Sequence, residues 1–341
     1  MKLTFIVTGF GYGDSIRTSA LIEALKKRNK NLKIQIFGYE NSYNFFNKNY
    51  PTYRIRSYKF ADFGMRFWTT IFAVQNVHLP LLLLRNLQTY KNEVEKFDPE
   101  VIISDFEPLA NMLANALNIP CITIFGYDPK RYQAYRKKST TLNIQAHYIE
   151  RLYRSSQTVI IPSFLKQKDY DNIKYVSPII REWTHKQKKR KQHIVMMLGG
   201  SDFGLKLAKQ IKKLSIDEEI MFFGGSKTIG KGHQTKFDYD FLNTLTDAKG
   251  VITLAGNLTI SECLFFKKPM LIFPIKNHIE QLLNAKAVER YAMIGKQKHI
   301  KESVYEFLEQ IKKPWPLPKH LKFDGATQAA RIIEKVKKSE G

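Results

Sequence analysis

Residues 250–285, GVITLAGNLTISECLFFKKPMLIFPIKNHIEQLLNA, constrain the fold more than any other stretch of this chain. Residues 250–254 are apolar and flanked by turn residues, which predicts a short buried strand. Gly256 and Asn257 predict a turn, after which Asn257 or Thr259 caps a helix with Ile260, Leu264 and Phe265 on one face. Lys268-Pro269 ends that helix, and residues 270–275 predict a second buried strand. In such a unit the first-turn amides of the helix lack partners and point outward at the positive end of its dipole, which attracts phosphate. Glu262, about one turn into the helix, is placed to accept hydrogen bonds from a ribose diol. Glu280 and Gln281 follow the second strand, where an open α/β sheet presents side chains to ligand. Any one of these pieces alone is usually only a turn. Their order and spacing carry the reading.

The N-terminus opens in the same way. Residues 3–8 are apolar, Gly9-Phe10-Gly11-Tyr12-Gly13-Asp14 break the run, and residues 15–28 repeat Ile16, Ala20, Leu21, Ala24 and Leu25 at helical spacing. A dinucleotide fingerprint is excluded, because the helix has no third glycine at the required offset and no acidic residue ends the next strand, 34–39. Residues 53–60 predict a strand with Arg54, Arg56 and Lys59 outward. Residues 63–96 predict two helices parted near residues 78–80, with Phe67, Trp68, Ile71, Phe72, Leu82 and Leu83 forming a large apolar surface bordered by Arg66 and Arg85. That surface suits either the domain core or a membrane leaflet and lipid-linked substrate.

Further strands are predicted at 101–104, 121–125 and 158–162, and Asp105 and Glu107 fall at a strand's carboxyl edge, facing the ligand crevice. Residues 176–181 predict a crossover, and the KQKKRK run at 186–191 an exposed linker. A second α/β domain starts at 194–198 and turns at Gly199-Gly200-Ser201, whose amides are expected to be open to a diphosphate; residues 220–223 then run into Gly224-Gly225-Ser226. Asp238-Tyr239-Asp240 has a metal-binding spacing but follows Thr235-Lys236-Phe237 rather than a hydrophobic strand, so no metal site is expected. Strand–helix alternation throughout predicts parallel sheets covered on both faces. The boundaries are 1–165 for an N-terminal domain and 180–322 for a C-terminal one, with a terminal helix at 324–339 packing back on the first.

At 341 residues the chain can bury two cores. Its formal net charge of +24 is spread over both halves, which suits nucleic acid, an anionic membrane surface or a polyanionic substrate, or reflects a general Lys-rich composition. Cys121 and Cys263 fall in predicted buried elements without metal-type spacing, which fits a reduced cytoplasm. The opening residues do not read as a signal peptide, and the longest apolar region is interrupted by Gln75, Asn76, His78 and Pro80.

Three patterns, G-N-x-T-x-x-E at 256–262, K-P-x-L-x-x-P at 268–274 and E-Q-x-x-N-A at 280–285, resemble the donor half of nucleotide-sugar glycosyltransferases. The group resembled includes the bacterial lipid-II-forming N-acetylglucosaminyltransferases and uncharacterised archaeal relatives. Gly11, Gly13 and Arg17 match the G-x-G-H-x-x-R opening of the same enzymes, with Asp14 where they carry histidine. The resemblance implies the GT-B fold, two doubly wound Rossmann-like α/β domains whose parallel sheets face a central cleft. It implies inverting, metal-independent transfer from UDP-GlcNAc or a similar UDP-hexose to an acceptor hydroxyl, lipid-linked or on another glycan. No cofactor is expected beyond the UDP-sugar as co-substrate.

On that resemblance the donor-side residues are Gly199, Gly200, Ser201, Gly225 and Phe237, then Gly256, Asn257, Leu258, Thr259 and Glu262, and finally Glu280, Gln281 and Asn284. Gly11, Gly13 and Arg17 lie on the acceptor side. Asp14 is the first choice for the base, with Asp105 and Glu107 as rivals; Asp14 needs desolvation to be effective. A nucleotide-sugar epimerase of similar shape would need further carboxylates and a histidine around the sugar. A nucleic-acid-binding protein is suggested by charge alone, and no such partner is expected. The implied location is cytoplasmic, peripheral on the inner face of the membrane.

Overall fold

The computed structural model describes residues 1–59, 66–128, 139–183, 193–200, 202–224, 234–235 and 241–336, with backbone alone at 152–154, 202 and 234–235. Ser201, Gly225, Phe237, Asp238, Asp240 and the KQKKRK run lie outside the described residues.

The first sheet is built from β1 (Lys2–Val7), β2 (Lys33–Gly38), β3 (Thr52–Arg54), β4 (Val101–Asp105), β5 (Cys121–Ile124), β6 (Thr158–Pro162) and β7 (Ile173–Val176). Its order is β3-β2-β1-β4-β5-β6-β7, and every pairing is parallel. Side chains alternate across a strand. Leu3, Phe5 and Val7 therefore pack on one face, against Leu21 and Leu25 of helix α1 (Gly13–Arg28), while Ile6 packs on the other. That second face is covered by α4 (Leu79–Phe97) and α5 (Pro108–Leu117), through Leu83 and Leu113. Between β1 and α4 lie α2 (Glu40–Phe46) and α3 (Thr69–Gln75), and α6 (Thr140–Arg154) precedes β6.

The second sheet repeats the topology. It comprises β8 (His193–Met197), β9 (Glu219–Phe223), β10 (Gln234–Thr235), β11 (Ala248–Thr253), β12 (Met270–Ile272) and β13 (Met293–Ile294), in the order β10-β9-β8-β11-β12-β13 and again parallel throughout. Its helices are α7 (Asp202–Ile211), α8 (Phe241–Asp247), α9 (Asn257–Phe265), α10 (Ile279–Val288) and α11 (Ile300–Gln310). Parallel sheets buried on both faces read as continuous apolar runs, which is why MLIF and HIVMM were legible as strands. The last helix, α12 (Gly325–Lys335), sends Ala329, Ala330 and Ile333 into the core of the first domain and pairs Glu334 with Arg28 at 2.7 Å.

One expectation fails locally. The strand expected at 53–60 stops at Arg54, because side-chain amides replace the ladder beyond it. Asn86 donates to the Arg56 carbonyl at 2.6 Å, and Asn76 both accepts from the Lys59 amide at 2.6 Å and donates to its carbonyl at 2.7 Å. The apolar surface expected on the following helices divides between core and solvent. Phe67 and Leu83 are buried, Ile71, Phe72 and Leu82 half-buried and Trp68 exposed, and Val74, Val77, Leu81 and Leu84 are exposed as well.

Each sheet reverses its strand order at its centre, between β1 and β4 and between β8 and β11, and such a switch point opens a crevice at the carboxyl ends of the strands. The two crevices face each other across one cleft of about 1130 Å³.

Candidate active site

The glycine turns after β1 and β8 form the floor of the cleft by touching. Gly11 and Gly200 have φ of +59° and +72°; a Cβ on Gly200 would sit 2.9 Å from the Gly11 Cα, and one on Gly11 would sit 2.7 Å from the Gly199 carbonyl oxygen. Only glycine permits both the left-handed backbone and this approach. The turn after β8 differs from the expected open amide cradle, since the Gly200 N–H already donates to the Gly224 carbonyl at 2.8 Å. Gly13 begins α1, and Asp14 is its second residue rather than a cap before it; Tyr12 holds the N-cap position.

The phosphate-type feature lies opposite, at α9. Its N-cap is Gly256 and Asn257 is already helical, so the expected side-chain cap by Asn257 or Thr259 is not made. The first backbone bond back into the turn is Ile260 N–H to the Gly256 carbonyl at 3.2 Å. Gly256, Asn257, Leu258 and Thr259 line the cleft with the positive end of the helix dipole directed into it.

A buried ionic cluster faces this helix from the first domain. Arg17 donates from Nη2 to Asp14 Oδ1 at 2.5 Å, and from Nε to Asp105 Oδ2 at 3.3 Å, with Nη2 also bonded to Asp105 Oδ1. Thr18 Oγ1 donates to Asp105 Oδ2 at 2.7 Å. Asp105 is fully buried and its oxygens are occupied, whereas the Asp14 side chain keeps 25% of its surface accessible and lines the cleft. Burial pushes Asp14 up to about 8; Arg17 opposes the rise, and the charges of Asp105 and Glu280 add to it. Burial disfavours the Arg17 charge, yet Asp105 and Asp14 more than offset this and hold its pKa above the ordinary value. Glu107 stands apart. Its carboxylate accepts from Ser57 Oγ at 2.8 Å away from the cleft, and burial raises it to about 8.

Glu280 reaches across from the second domain. A Cβ on Gly126, just past β5, would lie 2.5 Å from Glu280 Oε1, so the carboxylate rests on the backbone of the opposite domain. Burial raises its pKa, while Arg17 and a hydrogen bond with Asn284 pull it down. Gln281 and Asn284 are largely committed to the fold. Gln281 Oε1 accepts from the Ile275 amide at 3.0 Å, and Asn284 Nδ2 donates to the Ala255 carbonyl at 3.1 Å. Gln281 still lines the cleft; Asn284 is buried behind it. Glu262 lines the cleft too, with Oε1 accepting from Arg181 Nε at 2.8 Å. Burial raises its pKa against the pull of Arg181.

Arg181, Gln145, Tyr148, Tyr58 and His278 join the cleft wall without a sequence signal that singles them out. Arg181 could have been noted as the one basic residue of the predicted crossover. His278 is half-buried, and desolvation lowers it to about 4, so it stands neutral beside the Phe67 ring.

Two doubly wound parallel sheets whose strand ends face one cleft define the GT-B architecture of glycosyltransferases. The chain belongs to glycosyl transferase family 1, which matches residues 1–312. It is 22% identical over 285 residues to an uncharacterised glycosyltransferase of Methanopyrus kandleri, covering 75% of this chain and 81% of that one. Over 254 residues it is 25% identical to the UDP-N-acetylglucosamine–N-acetylmuramyl-(pentapeptide) pyrophosphoryl-undecaprenol N-acetylglucosamine transferase 3 of Bacillus cereus, covering 66% and 68% of the two chains. Among solved structures, MurG of Acinetobacter baumannii matches with a TM-score of 0.60 at 15% identity, over 98% of this chain and all of that one. The spinosyn rhamnosyltransferase SpnG complexed with thymidine diphosphate matches equally at 0.60 and 13% identity, over 98% and 95%. These two likenesses concern the fold and agree with the GT-B architecture read from the sequence, while the family match agrees with the glycosyltransferase resemblance.

Proposed function

We propose that this glycosyltransferase moves a sugar from a UDP-linked donor, UDP-GlcNAc or a similar UDP-hexose, to an acceptor hydroxyl with inversion at the anomeric carbon. The observation that carries the reading is the confrontation across one cleft of an uncapped helix N-terminus with a desolvated, accessible carboxylate, Asp14. The departing diphosphate gains negative charge in the transition state. The amides of Asn257, Leu258 and Thr259 stabilise it as preorganised donors, each worth ~2.7–4 kcal/mol by analogy with an oxyanion hole. Glu262, steadied by Arg181, holds the ribose, and Glu280 and Gln281 meet the sugar hydroxyls. Asp14 takes the acceptor proton from the opposite face, which is the geometry inversion requires.

The acceptor side carries exposed Val74, Val77, Leu81 and Leu84 beside Arg85. This face suits an anionic membrane leaflet, with the enzyme peripheral on its cytoplasmic side and a lipid-linked acceptor. Among the described residues no helix is long and apolar enough to cross a membrane.

Calorimetry of the full-length chain with UDP, UDP-GlcNAc and other nucleotide sugars tests the donor reading, and turnover in excess EDTA tests the metal-independent mechanism. Binding of UDP compounds and undiminished turnover are expected. Indifference to every nucleotide overturns the first; complete loss of activity restored by a divalent ion overturns the second.

A further inference from the structure

The helix that carries Glu280 and Gln281 begins without a cap of its own, since the N-cap residue of α10, His278, makes no side-chain capping bond. The acceptor comes from the other domain. Ile279 N–H donates to Gln145 Oε1 of α6 at 3.4 Å, while Gln145 Nε2 donates to the Asn277 carbonyl at 2.8 Å and to Thr69 Oγ1 at 3.2 Å. One side-chain amide thus closes both edges of the turn before α10, as a neighbouring strand would.

A second brace lies beside it. Phe67 N–H donates to the Lys276 carbonyl at 2.8 Å, and Arg66 and Lys276 form a parallel bridge. With the Asn277 amide oxygen turned toward it, the Arg66 guanidinium reaches that oxygen from Nε at 2.9 Å and Nη2 at 3.0 Å. Asn277 itself has a φ of +61°, a left-handed conformation that persists where surrounding contacts over-determine it. The turn is therefore held in its shape largely from across the cleft.

We propose that Gln145 and Arg66 are positioning residues for the donor sugar. From the N-terminal domain they hold the turn at 276–279 and cap α10, so Glu280 and Gln281 are aligned when the two domains close on each other. This rests on the reading of Glu280 and Gln281 as groups that meet the sugar. It separates sugar from nucleotide, because the α9 N-terminus and Glu262 stand on other elements.

The test uses the full-length chain as wild type, Gln145→Ala, Gln145→Glu and Arg66→Ala, with hydrogen exchange and with calorimetry against UDP and UDP-GlcNAc. In Gln145→Ala the amides of 279–281 exchange roughly fivefold faster, the scale of a lost helix cap, while those of α9 do not change. UDP-GlcNAc binds roughly five- to tenfold more weakly, the scale of a lost hydrogen-bonding contact, and UDP binds as before. Arg66→Ala shows the same split. Gln145→Glu keeps the acceptor for Ile279 and restores its protection, which also separates the role from a general loss of fold. Unchanged exchange, or equal weakening of UDP and UDP-GlcNAc, overturns the inference. A wild-type protein that binds neither compound overturns the donor reading instead.

Discussion

Asp14→Asn asks whether the cleft carboxylate takes the acceptor proton. Asparagine keeps an oxygen for the Arg17 Nη2 hydrogen bond and nearly the same volume, but it cannot accept a proton. With the pKa of Asp14 at about 8, roughly a tenth of it is ionised at pH 7 and roughly nine-tenths at pH 9. The wild-type kcat/KM should therefore climb about tenfold between those values before levelling, because the reactive form is the deprotonated one. Asp14→Asn should lower kcat by roughly 10²–10⁴ and flatten that limb, with donor affinity unchanged. Asp14→His, which restores the residue of the resembled enzymes, should retain activity with a limb shifted toward the ordinary histidine value of ~6.5. The assay is UDP release in the presence of acceptor, from pH 6 to 9.5. A flat wild-type profile together with an active asparagine variant would refute the reasoning. The rivals are poorly placed to inherit the role, since Asp105 is spent on Arg17 and Thr18 and Glu107 lies outside the cleft.

Glu107 supplies a prediction about stability. Native Glu107 keeps its proton up to about 8, against an ordinary value of 4.5, so the protein loses stability as pH rises through that window while the unfolded chain is already ionised. Glu107→Gln removes this loss, and its Tm should gain on wild type from pH 5 to pH 9; a constant gap between the two would refute the buried-acid reading. The acceptor face supplies another. Full-length protein should co-sediment with anionic vesicles and release as salt shortens the Debye length from ~8 Å. The exposed pair Val77→Glu and Leu81→Glu should abolish binding without lowering Tm, and wild-type binding that is absent, or confined to neutral vesicles, refutes the docking face.

The sequence by itself determined the repeated strand–glycine–helix units, because local signals suffice there: apolar runs for strands buried on both faces, and glycines where φ is positive. It also placed Asp14, Glu262 and Glu280 near strand ends, since chain order alone puts such residues at a sheet's carboxyl edge. It left open how those residues are partnered. Asp14 and Asp105 both looked like candidate bases, and only packing showed that Arg17 and Thr18 bury one while the other keeps an accessible edge. The helix cap at Asn257, the long strand after Tyr53 and the free amides at Gly200 were all reasonable locally. The strand and the amides were decided by partners elsewhere in the chain, the side-chain amides of Asn76 and Asn86 and the Gly224 carbonyl, and the cap by a helix that already includes Asn257, with Gly256 at its N-cap. Gln145 carried no pattern at all, for its significance arises where one domain meets a group of the other. Periodicity and turn chemistry are properties of neighbouring residues. Desolvation, pKa and cross-cleft hydrogen bonds exist only once two domains have been brought together.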